Sequence, residues 1–241
     1  MNLPQATWSA ENAAILPFNV NFVSATLSPK RVTAQIRISK QLLKQTGQLP
    51  SLILSPASMT LDEYLAAKMK VAFASVLDQA ALYGTGAANY QSLGVISTAG
   101  TNSVTTASPP IWSDLTCMRY LVTNYDANRD SFGWITDPRG RKYFEGTPRF
   151  TNAAARMWDL MEKEAEITLE VSDDRIFAGL WNYLIIAYWW FGDASGPAAD
   201  IVVDPFSRAE YSEVIITGSA FVDVAVRWPQ LFAYSQANIF P

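Results

Sequence analysis

Histidine is absent from the 241 residues, and cysteine occurs only once, at Cys117. A chain without histidine has no Ser-His-Asp or Cys-His catalytic unit, no histidine general base and no histidine-ligated zinc or iron site. A single cysteine forms no internal disulfide, and its place in the apolar run LTCMRYLV predicts a buried thiol. We therefore expect no catalytic site, no cofactor and no metal.

Excess positive charge and long apolar runs are also lacking. The formal net charge of -4 gives no general attraction to nucleic acid or to anionic lipid. The most apolar run, Leu180 to Phe191, has 12 residues, which is too short to span a bilayer, and we expect no membrane contact. The 49% hydrophobic content is nevertheless enough to build the core of one large domain or two modest ones.

One long helix is predicted over residues 60–83. Thr60 and Glu63 have the spacing of a capping box, and Gly84 follows where a left-handed residue can end a helix. At 100° per residue, eight apolar residues share one stripe, which predicts that this face is buried. They are Leu65, Met69, Ala72, Phe73, Val76, Leu77, Ala80 and Tyr83.

The remaining pattern mixes strands with a second helix. Apolar residues alternate with polar ones from Arg31 to Ile38, as in a half-buried strand. Ser113 is predicted to cap a helix that runs to about Tyr125. Further strands are predicted at FGWIT (132–136, ended by Asp137-Pro138), ITLEV (167–171), ADIVVD (199–204), EVIIT (213–217) and FVDVAV (221–226). Helices flanked by strands from both chain ends indicate an α+β fold.

Five segments occur in an order and spacing that are specific together, although none is diagnostic alone. They are LSPKRVTAQIRISKQLLKQT (27–46), a helix closing in LYGTG (82–86), QSLGVI (91–96), WITDPRGR (134–141) and a tail from DPFSRAEY to FVDVAVRWPQLFAYSQ (204–236). Together they resemble the major capsid protein of tailed bacteriophages, or of a prophage, with the HK97-type fold. The resemblance covers nearly the whole chain.

This resemblance implies a division of the chain. Residues 1–33 correspond to an extended β-ribbon loop with a remnant of an N-terminal arm. Residues 34–109 and 198–241 correspond to a peripheral domain that contains the spine helix 60–83. Residues 110–197 correspond to an axial domain whose tips meet at the five- and six-fold axes of a shell. Some relatives cross-link their shells through a lysine in the extended loop, but residues 1–29 contain none, so we expect a non-covalent shell.

Two groups of residues are candidate contacts between subunits. The first consists of apolar residues in the segment assigned to the extended loop, namely Trp8, Ile15, Phe18 and Phe22. An unpaired ribbon with such residues invites pairing with another chain, although a core hairpin within the same chain is an alternative. The second is the basic cluster Arg139, Arg141 and Lys142, for which a solvated face is the ordinary explanation and a neighbour or packaged DNA the alternative.

The resemblance implies a structural protein that assembles into pentamers and hexamers of an icosahedral shell around phage DNA. The expected partners are other copies, DNA through weak non-specific contact, and scaffolding, portal or decoration proteins. The expected location is the virion, after assembly in the host bacterial cytoplasm. One alternative is the shell protein of an encapsulin-type nanocompartment. An alternative from another class is a histidine-free hydrolase that uses two carboxylates, for which the sequence nominates no pair.

Overall fold

The computed structural model describes residues 25–46, 61–86, 90–125, 131–172, 174–189, 200–236 and 240. The helices are α1 (Lys40–Thr46), α2 (Leu61–Tyr83), α3 (Trp112–Thr123), α4 (Pro138–Gly146) and α5 (Met157–Met161). The strands are β1 (Lys30–Ser39), β2 (Asn102–Val104), β3 (Phe132–Thr136), β4 (Ala165–Ile167), β5 (Ile176–Leu180), β6 (Leu184–Trp189), β7 (Asp200–Asp204), β8 (Glu213–Val226) and β9 (Phe232–Ser235). No helix in these ranges is long and apolar enough to cross a membrane.

A four-stranded antiparallel sheet is built around β8. Strand β1 lies along one side of β8, in register from Lys30 opposite Val222 to Ser39 opposite Glu213. On the other side β7 and β6 follow one another along the same strand. The alternation predicted for β1 is confirmed, because Val32, Ala34, Ile36 and Ile38 all face inward.

Strand β8 corrects the prediction of two separate strands at 213–217 and 221–226. It is one continuous strand of 14 residues, with Gly218 inside it. A Cβ atom on Gly218 would come within 3.1 Å of the Phe73 ring on α2. Glycine therefore serves here to let the helix approach the sheet closely, and does not form a turn.

A second sheet has five strands in the order β2-β9-β5-β3-β4. Its central strand β5 is buried along its whole length, and α3 packs against β5 and β9. The predicted strand Phe132–Thr136 is confirmed as β3. Strand ITLEV is only partly confirmed, because pairing ends at Ile167 and a turn follows at Leu169 and Glu170.

Helix α2 is confirmed over Leu61–Tyr83, whereas its predicted capping residue Thr60 lies outside the described residues. Its end differs from the prediction, because Gly84 is not left-handed and only Gly86 has a positive φ, of 85°. The last carbonyls of α2 are satisfied instead by backbone amides of the following segment: Val95 donates to Ala81 and Ile96 to Leu82, at 2.9 and 3.1 Å. A Cβ on Gly84 would meet the Ser92 carbonyl oxygen, so glycine allows two backbones to touch.

Two other helix starts differ from the sequence prediction. Helix α3 begins at Trp112, ahead of the predicted cap Ser113, and the Asp114 carboxylate accepts the Ile111 amide at 3.1 Å. The Asp137-Pro138 pair ends β3 as predicted, but it also starts the unpredicted helix α4. Asp137 caps that helix by accepting the Gly140 amide at 2.9 Å, and proline occupies the first helical position.

The two sheets do not follow the predicted division by residue number. Strand β9, assigned to the peripheral part, pairs with β5 of the axial part, and β6 of the axial part pairs with β8 of the peripheral part. The division into 34–109 with 198–241 and 110–197 therefore stays a prediction, and each sheet contains segments from both sides of it.

Candidate intersubunit surfaces

The basic cluster predicted from sequence lies on one short helix. Arg139, Arg141 and Lys142 are all exposed on α4. Two of them already have acidic partners in the same chain: Arg139 lies 3.2 Å from Asp174, and Arg141 lies 2.7 Å from Glu145. Exposed pairs of this kind contribute little to stability, and they reduce the net positive charge that the cluster offers to a partner.

The apolar candidates Trp8, Ile15, Phe18 and Phe22 lie outside the described residues. The structure instead reveals apolar surface at places that the sequence did not single out. Three consecutive residues of β7, Ile201, Val202 and Val203, are 47%, 54% and 58% exposed. Neighbouring strand residues point to opposite faces of a sheet, so β7 is uncovered on both faces.

Helix α2 also carries uncovered apolar side chains. The predicted stripe is only partly buried: Met69 is in the core and Phe73 is half-buried against the sheet, but Ala72 and Val76 are exposed. Outside that stripe, Val71 is 65% exposed. The helix therefore packs on β1 and β8 with one side and presents apolar residues on another.

A groove of about 400 Å³ runs between β1 and the C-terminal half of α2. Its walls include Arg31, Leu77, Tyr83 and Tyr90. Tyr90 is 89% exposed and has a positive φ of 56°, an uncommon conformation for a bulky residue. The groove thus offers a basic, an aliphatic and two aromatic side chains to an occupant.

A buried carboxylate lies where the groove meets the sheet. Asp223, in the middle of β8, is 3% exposed, and its Oδ1 lies 2.5 Å from the Lys30 Nζ. Its Oδ2 accepts the Ser28 backbone amide at 2.9 Å. Burial acts to raise the pKa of Asp223, but hydrogen bonds from Lys30, Ser28, Ser92 and Val224 outweigh it and hold this pKa below its ordinary value.

Asp137 shows the opposite balance. It is buried at the start of α4, and desolvation is the largest influence on its carboxyl group. The backbone amides of Gly140 and Arg139 stabilise the charged form, whereas the charge of Asp174 opposes it. The net result is a pKa of Asp137 raised above its ordinary value.

The single cysteine is a correction. Cys117 is exposed on α3, and not buried as its apolar surroundings in sequence suggested. It lies on the side of α3 opposite the core, because Leu115, Met118 and Val122 supply the buried face of that helix. Within the described residues no group of cysteines and carboxylates is arranged to hold a metal ion.

Asp223 and β7 carried weak signals in the sequence. An aspartate inside FVDVAV is unusual because a charge in the middle of a buried strand needs a partner. The run DIVVD is apolar without alternation, which is typical of a strand buried on both faces. In the single chain β7 is uncovered, and this mismatch between pattern and exposure marks it as a contact candidate.

Comparison with known proteins agrees with the sequence resemblance. The phage capsid family model matches residues 1–236. A curated major capsid protein of Halomonas phage phiHAP-1 is 24% identical over 235 residues, which are 96% of this chain and 36% of that protein. The chain thus spans 36% of the length of this curated relative.

Solved structures share the fold at low identity. The capsid of a native GTA particle, computed with C5 symmetry, superposes with a TM-score of 0.66 at 17% identity over 96% of this chain and 80% of that one. The holo-SrpI encapsulin complex from Synechococcus elongatus superposes with a TM-score of 0.54 at 13% identity over 88% and 74%. These matches show the HK97-type α+β fold. Because the family match extends over residues 1–236, the chain belongs to the phage capsid family.

Proposed function

We propose that this chain is a structural shell subunit that self-assembles into the pentamers and hexamers of an icosahedral phage capsid. The observation that supports this best is the apolar surface that the single chain leaves on α2 and β7. Contiguous exposed apolar surface is typical of a protein contact site. In a shell each such contact is repeated in every subunit, so that individually weak contacts give a stable assembly.

Residues 1–27, the part of the 1–33 segment ahead of Ser28, are proposed to form the extended loop over a neighbouring subunit, because Ser28 and residues 30–33 are held on β8 of the same chain. Their apolar residues Trp8, Ile15, Phe18 and Phe22 would then cover the exposed side chains of α2 and β7 in that neighbour. The lack of lysine in residues 1–29 supports a shell without covalent links at this loop. Burial of apolar area provides the free energy of such a contact, at roughly 25 cal/mol per Å².

We propose a division into domains that follows the sheets. The four-stranded sheet with α2 forms the peripheral domain, and the five-stranded sheet with α3 and α4 forms the axial domain. This division differs from the one by residue number in the placement of β2, β6 and β9, and the pairing of these strands supports it. Arg139, Arg141 and Lys142 then belong to the axial domain. We propose Lys142 as the main contact of the three, because among the described residues Arg139 and Arg141 pair with carboxylates and Lys142 does not.

The chain is proposed to act in the virion after assembly in the bacterial cytoplasm. Its net charge of -4 favours weak and non-specific contact with packaged DNA. Scaffolding, portal and decoration proteins are proposed as further partners. The hydrolase alternative is not carried forward, because the chain belongs to a family of capsid proteins.

A second candidate is the shell protein of an encapsulin-type compartment that encloses proteins instead of DNA. The structural similarity to an encapsulin complex supports it. The two candidates predict different contents for the native particle. Particles isolated from their natural host that contain double-stranded DNA support the capsid, and particles that contain only protein support the compartment.

Assembly itself is tested by negative-stain electron microscopy and light scattering of the purified chain at raised concentration. We expect closed shells or rings of five or six subunits. A variant that lacks residues 6–24 should remain a folded monomer and lose assembly, since β1 and its anchor at Ser28 are kept. A strictly monomeric full chain, or a deletion variant that assembles normally, contradicts the proposal.

A further inference from the structure

Asp223 occupies a position at which the pairing of β1 with β8 has to stop. The last pair of the ladder is Lys30 with Val222, and the next residues in the same register are Pro29 and Asp223. Proline has no backbone N–H and therefore contributes no donor to the sheet. The carboxylate of Asp223 extends the attachment past this point by accepting the Ser28 amide at 2.9 Å.

The chain is held on both sides of Pro29. Ser28 is bound through its backbone amide, and Lys30 is bound through its side chain at 2.5 Å, both by the same carboxylate. The residue before a proline is restricted to extended conformations, and proline itself has a nearly fixed φ. The backbone of residues 28–30, at the start of β1, is therefore held in one conformation.

The same carboxylate is tied to the segment that follows α2. Ser92 is buried and hydrogen-bonds to Asp223 through its hydroxyl group, and this hydroxyl also accepts the Val224 amide at 3.1 Å. We call the group Ser28, Lys30, Ser92 and Asp223 the Asp223 anchor. It joins the entry of β1, the central strand β8 and the end of α2.

We propose that Asp223 and Lys30 are positioning residues for assembly, which fix the direction in which the chain ahead of Ser28 leaves the sheet. This inference rests on the proposed function, in which that segment reaches a second copy. A segment that leaves the sheet in one direction meets its neighbour in one geometry, and pre-organisation of this kind lowers the ordering cost of binding. Loss of the anchor would leave the fold intact and weaken the repeated contact in every subunit.

Lys30→Met is the first test. Methionine retains much of the length of the lysine stem, and the Asp223 carboxylate keeps its hydrogen bonds from Ser28, Ser92 and Val224. We expect a folded monomer that melts at a lower temperature, because the buried carboxylate loses its ion-pair partner. We also expect an assembly threshold raised by about tenfold, because the weakened contact recurs throughout a shell. Lys163→Met is the matched control, since it removes one positive charge from an exposed position in the other part of the molecule.

Two further variants separate positioning from stability. Ser28→Pro removes the backbone donor to Asp223 while leaving the ion pair, and it should raise the assembly threshold in the same way. Lys30→Arg keeps the charge and should restore assembly to within about twofold of the original chain. In a purely stabilising role, the rise in the assembly threshold would follow the fall in melting temperature from one variant to the next. In a positioning role, Ser28→Pro, which keeps the ion pair, should raise the threshold as much as Lys30→Met with a smaller change in melting temperature.

Hydrogen exchange on the monomer tests the anchor without reference to shells. We expect slow exchange of the Ser28 amide in the original chain, and fast exchange at the same site in Asp223→Ala, which removes both acceptor oxygens. A Ser28 amide that exchanges as in a free peptide overturns the inference, whatever the chain assembles into. Normal assembly of both Lys30→Met and Ser28→Pro also overturns it, whereas failure of the original chain to assemble contradicts the proposed function.

Discussion

The two sheets of this chain are covered to very different degrees. In the five-stranded sheet every residue of β5 is buried, and Phe177 and Phe232 are completely enclosed by neighbouring aromatic and aliphatic side chains. In the four-stranded sheet β7 is exposed on both faces, and α2 covers the sheet with only part of its apolar surface. One region completes its core within a single chain, and the other leaves apolar surface exposed to solvent.

This difference predicts that substitutions in the closed region change the stability of the monomer, whereas substitutions in the open region change assembly. A closed core resists change of any side chain, because close packing leaves few empty spaces. An open apolar surface tolerates change in the monomer and transmits its effect to assembly. Substitutions in the two regions should therefore differ in their effect on the free energy of unfolding, from a large loss in the closed core to a small one in the open surface.

The largest effect is expected in the closed region. Phe177 packs edge to face on Tyr83, with 5.6 Å between ring centroids, and Phe177→Ala should lower the free energy of unfolding by about 3–5 kcal/mol through the cavity it leaves. Phe206, in the loop after β7, is 82% exposed, and Phe206→Ala should change the free energy of unfolding by less than about 0.5 kcal/mol. Urea denaturation of the monomers measures both, and equal losses would remove the contrast.

The second prediction concerns the junction between the regions, where the end of α2 meets residues 92–96. Gly84→Asn should cost about 1–3 kcal/mol because the new Cβ meets the backbone of Ser92 and Ala80. Gly86→Asn should cost less, since asparagine tolerates a positive φ and the nearest obstacle is the flexible Leu93 side chain. Thermal melts compare the two variants. Equal losses of stability at both sites would contradict the close backbone contact at Gly84 and favour the left-handed cap predicted there.

The third prediction moves to the open region. Val203→Lys in β7 should change monomer stability by less than about 0.5 kcal/mol, because the side chain is already largely in solvent. It should abolish rings and shells in electron micrographs, since it places a charge in an apolar contact. Val203→Thr, with nearly the same shape and no charge, is the control that should still assemble. Normal shells from Val203→Lys would exclude β7 from the contact.

The smallest effect is the pH dependence, which should have opposite sign at the two buried aspartates. The pKa of Asp223 is lowered in the folded chain, so its carboxylate stabilises the fold above the ordinary pKa of 3.8. This stabilisation is lost as the pH falls through the pKa of the folded chain. The pKa of Asp137 is raised, so its carboxylate lowers stability above the folded value, and this penalty disappears as pH falls towards 3.8.

Asparagine at each site should reveal these signs in melts between pH 3 and 7. Asp137→Asn retains a good helix cap and should be at least as stable as the original chain at pH 7, with the difference shrinking in acid. Asp223→Asn should be less stable at pH 7, again with a difference that shrinks in acid. Melting shifts of the same sign at pH 7 would contradict the assigned directions.

The sequence predicted elements wherever one local rule was sufficient. Alternation identified β1, and apolar residues at helical spacing identified α2. The start of α1 follows a local rule as well, because the hydroxyl of Ser39, the residue before the helix, accepts the Leu42 amide at 3.2 Å. These features depend on neighbours within a few positions of the chain, so their physical causes are visible in the sequence itself.

The sequence predictions were wrong where contacts with a distant segment, and not the neighbouring residues, decided the local structure. Gly84 looked like a helix cap, but residues 94–96 bind the end of α2 and leave Gly84 to accommodate close backbones. The two strands predicted at 213–217 and 221–226 form one strand, in which Gly218 leaves room for the Phe73 ring of α2. Cys117 looked buried in a run of apolar residues, but the orientation of α3 placed it outside.

The sequence by itself determined the α+β class, the spine helix, the absence of histidine chemistry and, through the order of its segments, the likeness to the phage capsid family. Tertiary structure alone decided which apolar surface is enclosed and which partner Asp223 finds, since Ser28 and Asp223 are 195 residues apart. Local propensities act over a few residues, whereas burial and the pairing of a charge depend on segments that only folding brings together.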